Sequence, residues 1–222
     1  MKKFSAVIFD MDGTIVDTSS IWESCNRYFL LQKNIYSEEL LAQLGEILHG
    51  VPLAGHVGMV KKICGLEHEK DEDIINEYAQ LVKKYYELEI KYIKEFENFI
   101  VKLLRYNIPV AIATNSCDYG IIKVNNIVNL RKYFGEHIYG IGCVAGVPKP
   151  APDIYLYAAK KLEVDPQECI VFEDSLHGIT AAKNALMYTV AINTSHIDPH
   201  LIHADKIINC YSEFLIADYF RV

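Results

Sequence analysis

The chain has 222 residues, 51% of them hydrophobic and 23% charged, with a formal net charge of −7. That composition suits a globular protein with a sizeable core, one large or two small domains. An acidic balance argues against non-specific nucleic-acid binding, which needs a basic surface to displace phosphate counterions. The six cysteines are scattered, with no Cys or Cys/His pair at zinc spacing, and read as free thiols. The apolar stretch behind Met1-Lys2-Lys3 is too short for a signal h-region or a membrane span, so the expected location is cytoplasmic.

Phe4 to Phe9 is an apolar run ended by charge, which predicts a buried first strand. From Thr18 to about Glu95 the chain reads as helical. "SIWESCNRYFLLQK" repeats apolar residues near helical spacing, and "SEELLAQLGEIL" does so behind Ser37 as an N-cap. "EDIINEYAQLVKKYYELEIKYIKEF" continues the pattern, and "HGVP" (His49 to Pro52) interrupts the block as a loop. After Phe96, "FIVKLLRYN" predicts a helix and "IPVAIAT" (Ile108 to Thr114) a second strand. "HIYGIGCV" is a weaker strand signal. "APDIYLYAAKKLEV" reads as a helix with Pro152 in its first turn. "ECIVFED" (Glu168 to Asp174), "GITAAKNAL" and "YTVAINT" predict strand, helix, strand. Alternating strands and helices make a parallel α/β sheet with helices on both faces and every strand's C-terminal end on one edge. The simplest division is an α/β core from 1–17 and 97–222, with a helical insert at 18–96.

Chemistry collects past the strand ends. Asp10 and Asp12 follow the first strand, Thr114, Asn115 and Ser116 the second, and Glu173, Asp174 and Ser175 the third. Lys149 stands in "PKPAPD". Asp10 and Asp12, two residues apart, point the same way if the chain stays extended. Carboxylates gathered at one edge repel one another unless a cation lies among them, and hard oxygen donors suit Mg²⁺. Small hydroxyls, backbone N–H groups and the Lys149 ammonium suit a phosphate. Asp10 is then the first candidate for a nucleophile and Asp12 for the general acid/base, with Gly13 permitting the tight turn behind them. Phosphoryl transfer asks mainly for in-line positioning and charge neutralisation, which this set supplies.

The residues resemble the haloacid dehalogenase-like phosphatases. "FDMDGTIVDT" resembles their first motif, DxDGT. "IATNS" resembles the second and "KPAPDIY" the lysine motif. "VFEDSLHGITAAKNA" resembles the fourth, an acidic pair followed by SxxGxxAA. All four stand in family order. The resemblance implies a Rossmann-like core, a helical cap inserted after the first strand, and Mg²⁺ dependence. It implies Asp10 as nucleophile and metal ligand, and Asp12 as acid/base that also binds metal through its backbone carbonyl. Thr114, Asn115 and Lys149 are implied at the phosphate and Asp174 at the metal, with Glu173 as a further ligand or a support behind the ligands. Two departures stand out: Pro148 precedes Lys149 where the family usually has glycine, and Leu186 replaces a common glycine.

The chain looks closest to the group holding β-phosphoglucomutases, sugar phosphatases and pseudouridine-5'-phosphatase. Trp22 stands where the mutases carry a cap histidine and Leu53 where they carry an arginine. Both changes tilt the expectation from mutase to a hydrolase of a sugar or nucleoside phosphate. Asp12 speaks against a dehalogenase, which lacks that aspartate. A β-phosphoglucomutase-like isomerase and a non-catalytic phosphometabolite-binding module remain the alternatives. Trp22, His49, Gly50 and His56 are candidate substrate contacts from the cap, with packing as the competing role for Trp22 and His56. Asp17 reads as turn structure, and His177 as solvent or turn packing. The expected partner is a small phosphate ester, with neither nucleic acid nor membrane. The oligomeric state is open, and a monomer is compatible with the sequence.

Overall fold

A computed structural model describes residues 4–48, 51, 53–85, 90–194 and 203–221, with the backbone alone for Leu53 and Ala54. The chain divides into two compact units, Met1–Asp17 with Lys91–Val222, and Thr18–Ile90. The division places 91–96 with the sheet unit, whereas the sequence reading put them in the insert.

The sheet unit begins with β1 (Ala6–Phe9), all of it buried. The two-residue strands β2 (Val16–Asp17) and β3 (Lys91–Tyr92) pair antiparallel, Val16 with Tyr92 and Asp17 with Lys91. This corrects two readings: the segment before Glu95 is not wholly helical, and Asp17 belongs to a strand, where it is exposed. A two-residue ladder is too short to show a period in sequence. In the helical unit, α1 (Ser19–Gln32), α2 (Glu38–Leu48), α3 (Leu53–Cys64) and α4 (Asp71–Tyr85) pack around Ile21, Phe29, Leu44, Val60 and Tyr78. Ser37 caps α2, its Oγ accepting from Leu40 N at 3.0 Å.

After β3 come α5 (Phe96–Arg105), β4 (Val110–Ala113), α6 (Asp118–Val128), α7 (Arg131–Phe134) and β5 (Ile138–Tyr139). Then follow α8 (Asp153–Lys161), β6 (Cys169–Glu173), α9 (Leu176–Asn184), β7 (Tyr188–Ile192), β8 (Lys206–Ile208) and α10 (Ile216–Tyr219). The weak strand signal at "HIYGIGCV" resolves into β5 and a 3₁₀ turn over Ile141–Val144. Six strands form one parallel sheet in the order β5-β4-β1-β6-β7-β8. The chain first builds outward from β1 to β4 and β5, then returns to β6 on the other side. The strand order therefore reverses beside β1, and ligands in such sheets bind outside the carboxyl ends at that point.

Alternation along the strands sorts the core into two faces. Phe9 and Phe172 face a cluster with Phe96, Phe99 and Tyr211, ring centroids 5.0 to 6.4 Å apart. Ala6, Ile8, Cys169 and Val171 face the alanine-rich sides of α8 and α9, including Ala158, Ala159, Ala181 and Ala182. Small residues there let the helices approach the sheet closely. The parity carries to the strand ends: Asp10, just past β1, and Glu173, the last residue of β6, continue the face of Ile8 and Val171, toward α8.

Candidate active site

The residue that organises the site is Lys149. Its side chain is buried, and Nζ donates to Asp10 Oδ1 at 2.5 Å and to Glu173 Oε1 at 2.8 Å, so one ammonium bridges the ends of β1 and β6. The Tyr155 ring lies beneath it, 4.6 Å from Nζ to the centroid, and the Tyr155 hydroxyl donates to Glu173 Oε1 at 3.1 Å. Burial alone disfavours the ammonium, but Asp10 and Glu173 outweigh it and hold the Lys149 pKa above the ordinary lysine value. Pro148, in place of the family's usual glycine, is exposed and does not keep Lys149 out of the site.

Glu173 is fully engaged. Its other oxygen, Oε2, accepts from the backbone N of Asp174 and Ser175 at 2.8 and 2.7 Å and from Ser175 Oγ at 3.0 Å. Ser175 also caps α9, accepting from Gly178 N at 3.1 Å. Gly178 has a packing reason: a Cβ there would stand 1.6 Å from Glu173 Oε1. The glycine in the sequence pattern SxxG thus opens the space in which the Glu173 carboxylate lies.

Asp174 is buried and accepts from Thr14 Oγ1 at 2.9 Å. Gly13, at φ +83°, passes so close that a Cβ would meet Asp174 Oδ2 at 2.0 Å. Only glycine suits both that backbone conformation and that approach. Asp10, Glu173 and Asp174 each offer a carboxylate oxygen within 4.8 Å of the others, the one such cluster among the described residues. Burial, and then the neighbouring charges of Glu173, Asp174 and Asp12, push the Asp10 carboxyl well above the ordinary aspartate range, with Lys149 opposing. An all-carboxylate donor set is hard and fits Mg²⁺ better than a soft transition metal.

Asp12 Oδ2 accepts from Ser116 Oγ at 2.7 Å. The loop after β4 is set by one local and one long-range bond: Thr114 Oγ1 accepts from Ser116 N at 3.0 Å, and Asn115 Oδ1 accepts from Lys149 N at 3.0 Å. The structure therefore gathers Asp10, Lys149, Glu173 and Asp174 directly, and ties Asp12, Thr114 and Asn115 to that group through Ser116 and the Lys149 backbone. Trp22 and His56 meet each other inside the helical unit, ring centroids 5.3 Å apart. His56 is buried, its Nε2 is 2.9 Å from the Val51 carbonyl, and burial lowers its pKa to about 4. His49 and Gly50 lie outside the described residues. The sequence reading assigned no role to Thr14, Tyr155 or Gly178. All three carry a signal, since each stands inside a matched motif: Thr14 in the first, Tyr155 at the end of "KPAPDIY" and Gly178 in the fourth.

The haloacid dehalogenase-like hydrolase family matches residues 4–185. The chain belongs to that family. It is accordingly an enzyme of the hydrolase class, and its parallel sheet has the family's α/β fold. A phosphorylated carbohydrates phosphatase from Thermotoga maritima is 32% identical over 184 residues, covering 81% of this chain and 81% of that protein. A bifunctional riboflavin kinase/FMN phosphatase from Arabidopsis thaliana is 30% identical over 217 residues. That match takes in 94% of this chain, which spans about half, 54%, of that relative's length. The crystal structure of a HAD hydrolase, family IA, variant 3, from Entamoeba histolytica superposes with a TM-score of 0.81 at 27% identity, covering 98% of this chain and 97% of that one. No helix among the described residues is long and apolar enough to cross a membrane.

Proposed function

We propose that the chain is a Mg²⁺-dependent phosphatase acting on a small phosphate ester, a sugar or nucleoside phosphate, through an aspartyl-phosphate on Asp10. The observation that carries this reading is charge. The negative charges of Asp12, Glu173 and Asp174 all bear on the Asp10 carboxyl, and the ammonium of Lys149 is the cation that opposes them. The surplus of negative charge calls for a cation, and a phosphate can enter only once that charge is answered. When bound, Mg²⁺ would supply that positive charge and draw electron density from the phosphate oxygens, with Asp10, Asp174 and the Asp12 carbonyl as its holders. Glu173, saturated by five donors, is read here as the anchor of Lys149.

In this reading Lys149 fixes Asp10 through Oδ1, and the other Asp10 oxygen attacks phosphorus in line. The ester P–O bond breaks, and Asp12 gives its proton to the leaving alkoxide. Asp12 then takes a proton from a water molecule that attacks the phosphoaspartate, which releases orthophosphate and returns Asp10 as a carboxylate. Ser116 holds Asp12 in place for both transfers. Thr114, Asn115 and Lys149 are read as the phosphate contacts, with Thr114 buried beside the Asn115–Lys149 bond. Trp22, half-buried, is read as the helical unit's contribution to substrate choice, and His56, buried against it with Nε2 at the Val51 carbonyl, as packing. The names of the Thermotoga and Arabidopsis relatives support a phosphorylated metabolite as substrate. The test is phosphate release across a panel of sugar, nucleotide and short-acid phosphates. Activity should vanish with EDTA and in Asp10→Asn. Conversion of a sugar 1-phosphate to its 6-phosphate without phosphate release would make the protein a mutase. No turnover, together with no trapping of beryllium fluoride on Asp10, would make it a binding module.

A further inference from the structure

Two side chains beyond the region matched by the family act on the catalytic turn. Thr194, just after β7, donates from Oγ1 to the Gly13 carbonyl at 2.6 Å. Tyr211, in a 3₁₀ turn after β8, donates from its hydroxyl to the Thr14 carbonyl at 2.9 Å. The family match ends at residue 185, so neither belongs to it. We infer that Thr194 and Tyr211 are positioning residues that set the orientation of Asp174, and with it the site's affinity for its cation.

The argument follows the backbone. Holding the carbonyls of Gly13 and Thr14 fixes the two peptide planes on either side of the Thr14 Cα, and so fixes where the Thr14 side chain points. That side chain is the donor to Asp174 Oδ1 at 2.9 Å. The other oxygen of Asp174 lies against Gly13, with no room for even a methyl group. Rotation of the turn would therefore loosen Asp174 on one side and crowd it on the other. Tyr211 suits the task because its ring is fully buried and clamped, 5.0 Å from the Phe99 centroid and 5.6 Å from that of Phe172. Thr14 is also fully buried, so its carbonyl has no bulk water to turn to if the hydroxyl is removed. Groups that hold a ligating side chain in place commonly change metal affinity or activity by 10- to 100-fold when removed.

The inference rests on the phosphatase reading for its consequence but not for its geometry, and the experiment separates the two. Tyr211→Phe keeps the ring and removes only the hydroxyl. Hydrogen exchange on the metal-free protein reads the turn through the amides of Gly13, Ile15 and Val16, which close it onto Val16 and Met11. They should exchange faster in Tyr211→Phe while those of β4 stay unchanged. Calorimetric titration with Mg²⁺ should show binding weakened about tenfold or more. In turnover, kcat should fall at limiting Mg²⁺ and recover at saturating Mg²⁺, with KM for the ester unchanged. Thr194→Val should behave alike and Thr194→Ser should match the parent, a rescue that loss of packing would not give. If Tyr211→Phe does not fold, the Thr194 pair carries the same test. Parental exchange and Mg²⁺ affinity in Tyr211→Phe, or equal damage from serine and valine at 194, would overturn the inference. A parent protein that binds no Mg²⁺ and releases no phosphate would sink the functional reading, and the exchange data would still decide the positioning role.

Discussion

Replacing Gly178 by alanine sets two well-measured effects against each other. Glycine inside a helix costs roughly 0.5–1 kcal/mol relative to alanine, so Gly178→Ala in α9 should stabilise the protein if helix propensity decides. The surroundings say otherwise. The new Cβ would stand 1.6 Å from Glu173 Oε1 and 1.9 Å from Cδ, where ordinary contact begins at 3.4 Å. Glu173 cannot retreat without breaking bonds, because its two oxygens accept from Lys149, Tyr155, two backbone amides and the Ser175 hydroxyl. Disrupting a buried ion pair costs about 3–5 kcal/mol, which exceeds the propensity gain several-fold. The expected net effect is a destabilisation of about 2–4 kcal/mol.

Gly45 supplies the control. It lies in α2, exposed, with nothing within 4 Å of an added Cβ. Gly45→Ala should stabilise by about 0.5–1 kcal/mol. Urea unfolding followed by circular dichroism, with near-ultraviolet signals for the aromatic sheet core, measures both variants. The same chemical change should move stability in opposite directions. Gly178→Ala should also lose most hydrolysis, since Lys149 would be left with Asp10 alone. A Gly178→Ala protein as stable and active as its parent would refute the account of Glu173.

Leu186 follows α9 at φ +60° with 69% of its surface exposed, so its side chain contributes little packing while its backbone is strained. The left-handed conformation costs an L-residue roughly 1–2 kcal/mol and glycine's extra chain entropy returns about half of that, so Leu186→Gly should stabilise by about 0.5–1 kcal/mol in urea; a less stable glycine variant would show that the leucine packs usefully. His56 makes stability pH-dependent. Its folded pKa, lowered by burial to about 4 from 6.5, means that the unfolded chain takes up the proton first as the pH falls. Its contribution is complete above pH 6.5 and is lost between there and about pH 4, reaching a loss of about 2 kcal/mol at pH 5. The stability gap between the parent and His56→Phe should shift by that amount between pH 7.5 and 5; an unchanged gap would mean that the imidazole is protonated in the folded state.

How much could be read in advance follows from the length scale of each signal. β1, β4, β6 and β7 are four- or five-residue apolar runs ending in polar residues, and each was predicted. Strand parity then carried Asp10 and Glu173 to one face, and the fold brought Asp174 and Lys149 to them. α6 was missed, because "DYGIIKVNNIV" holds a glycine and two asparagines that weaken its helical signal. β2, β3 and β8 are two or three residues long, below any period. The family resemblance also marks Glu173 as a metal ligand or a support behind the ligands. The five donors around it were invisible there, since three of them arise from the turn into α9 and two from a separate loop and helix.

Thr194 and Tyr211 show why the last layer of a site resists sequence reading altogether. Their acceptors are main-chain carbonyls, which every residue carries, so no residue type at 13 or 14 announces the partner. The donors stand 181 and 197 positions away, and any hydroxyl of the right reach would serve. Motifs record the groups whose chemistry is irreplaceable: the carboxylate at the strand end, the ammonium between two acids, the glycine that leaves room for a charge. The groups that hold those in register are chosen by geometry, and geometry is a property of the folded chain. A turn carrying the aspartates of the first motif can therefore be recognised from ten residues, while the groups that hold it come from the far end of the chain.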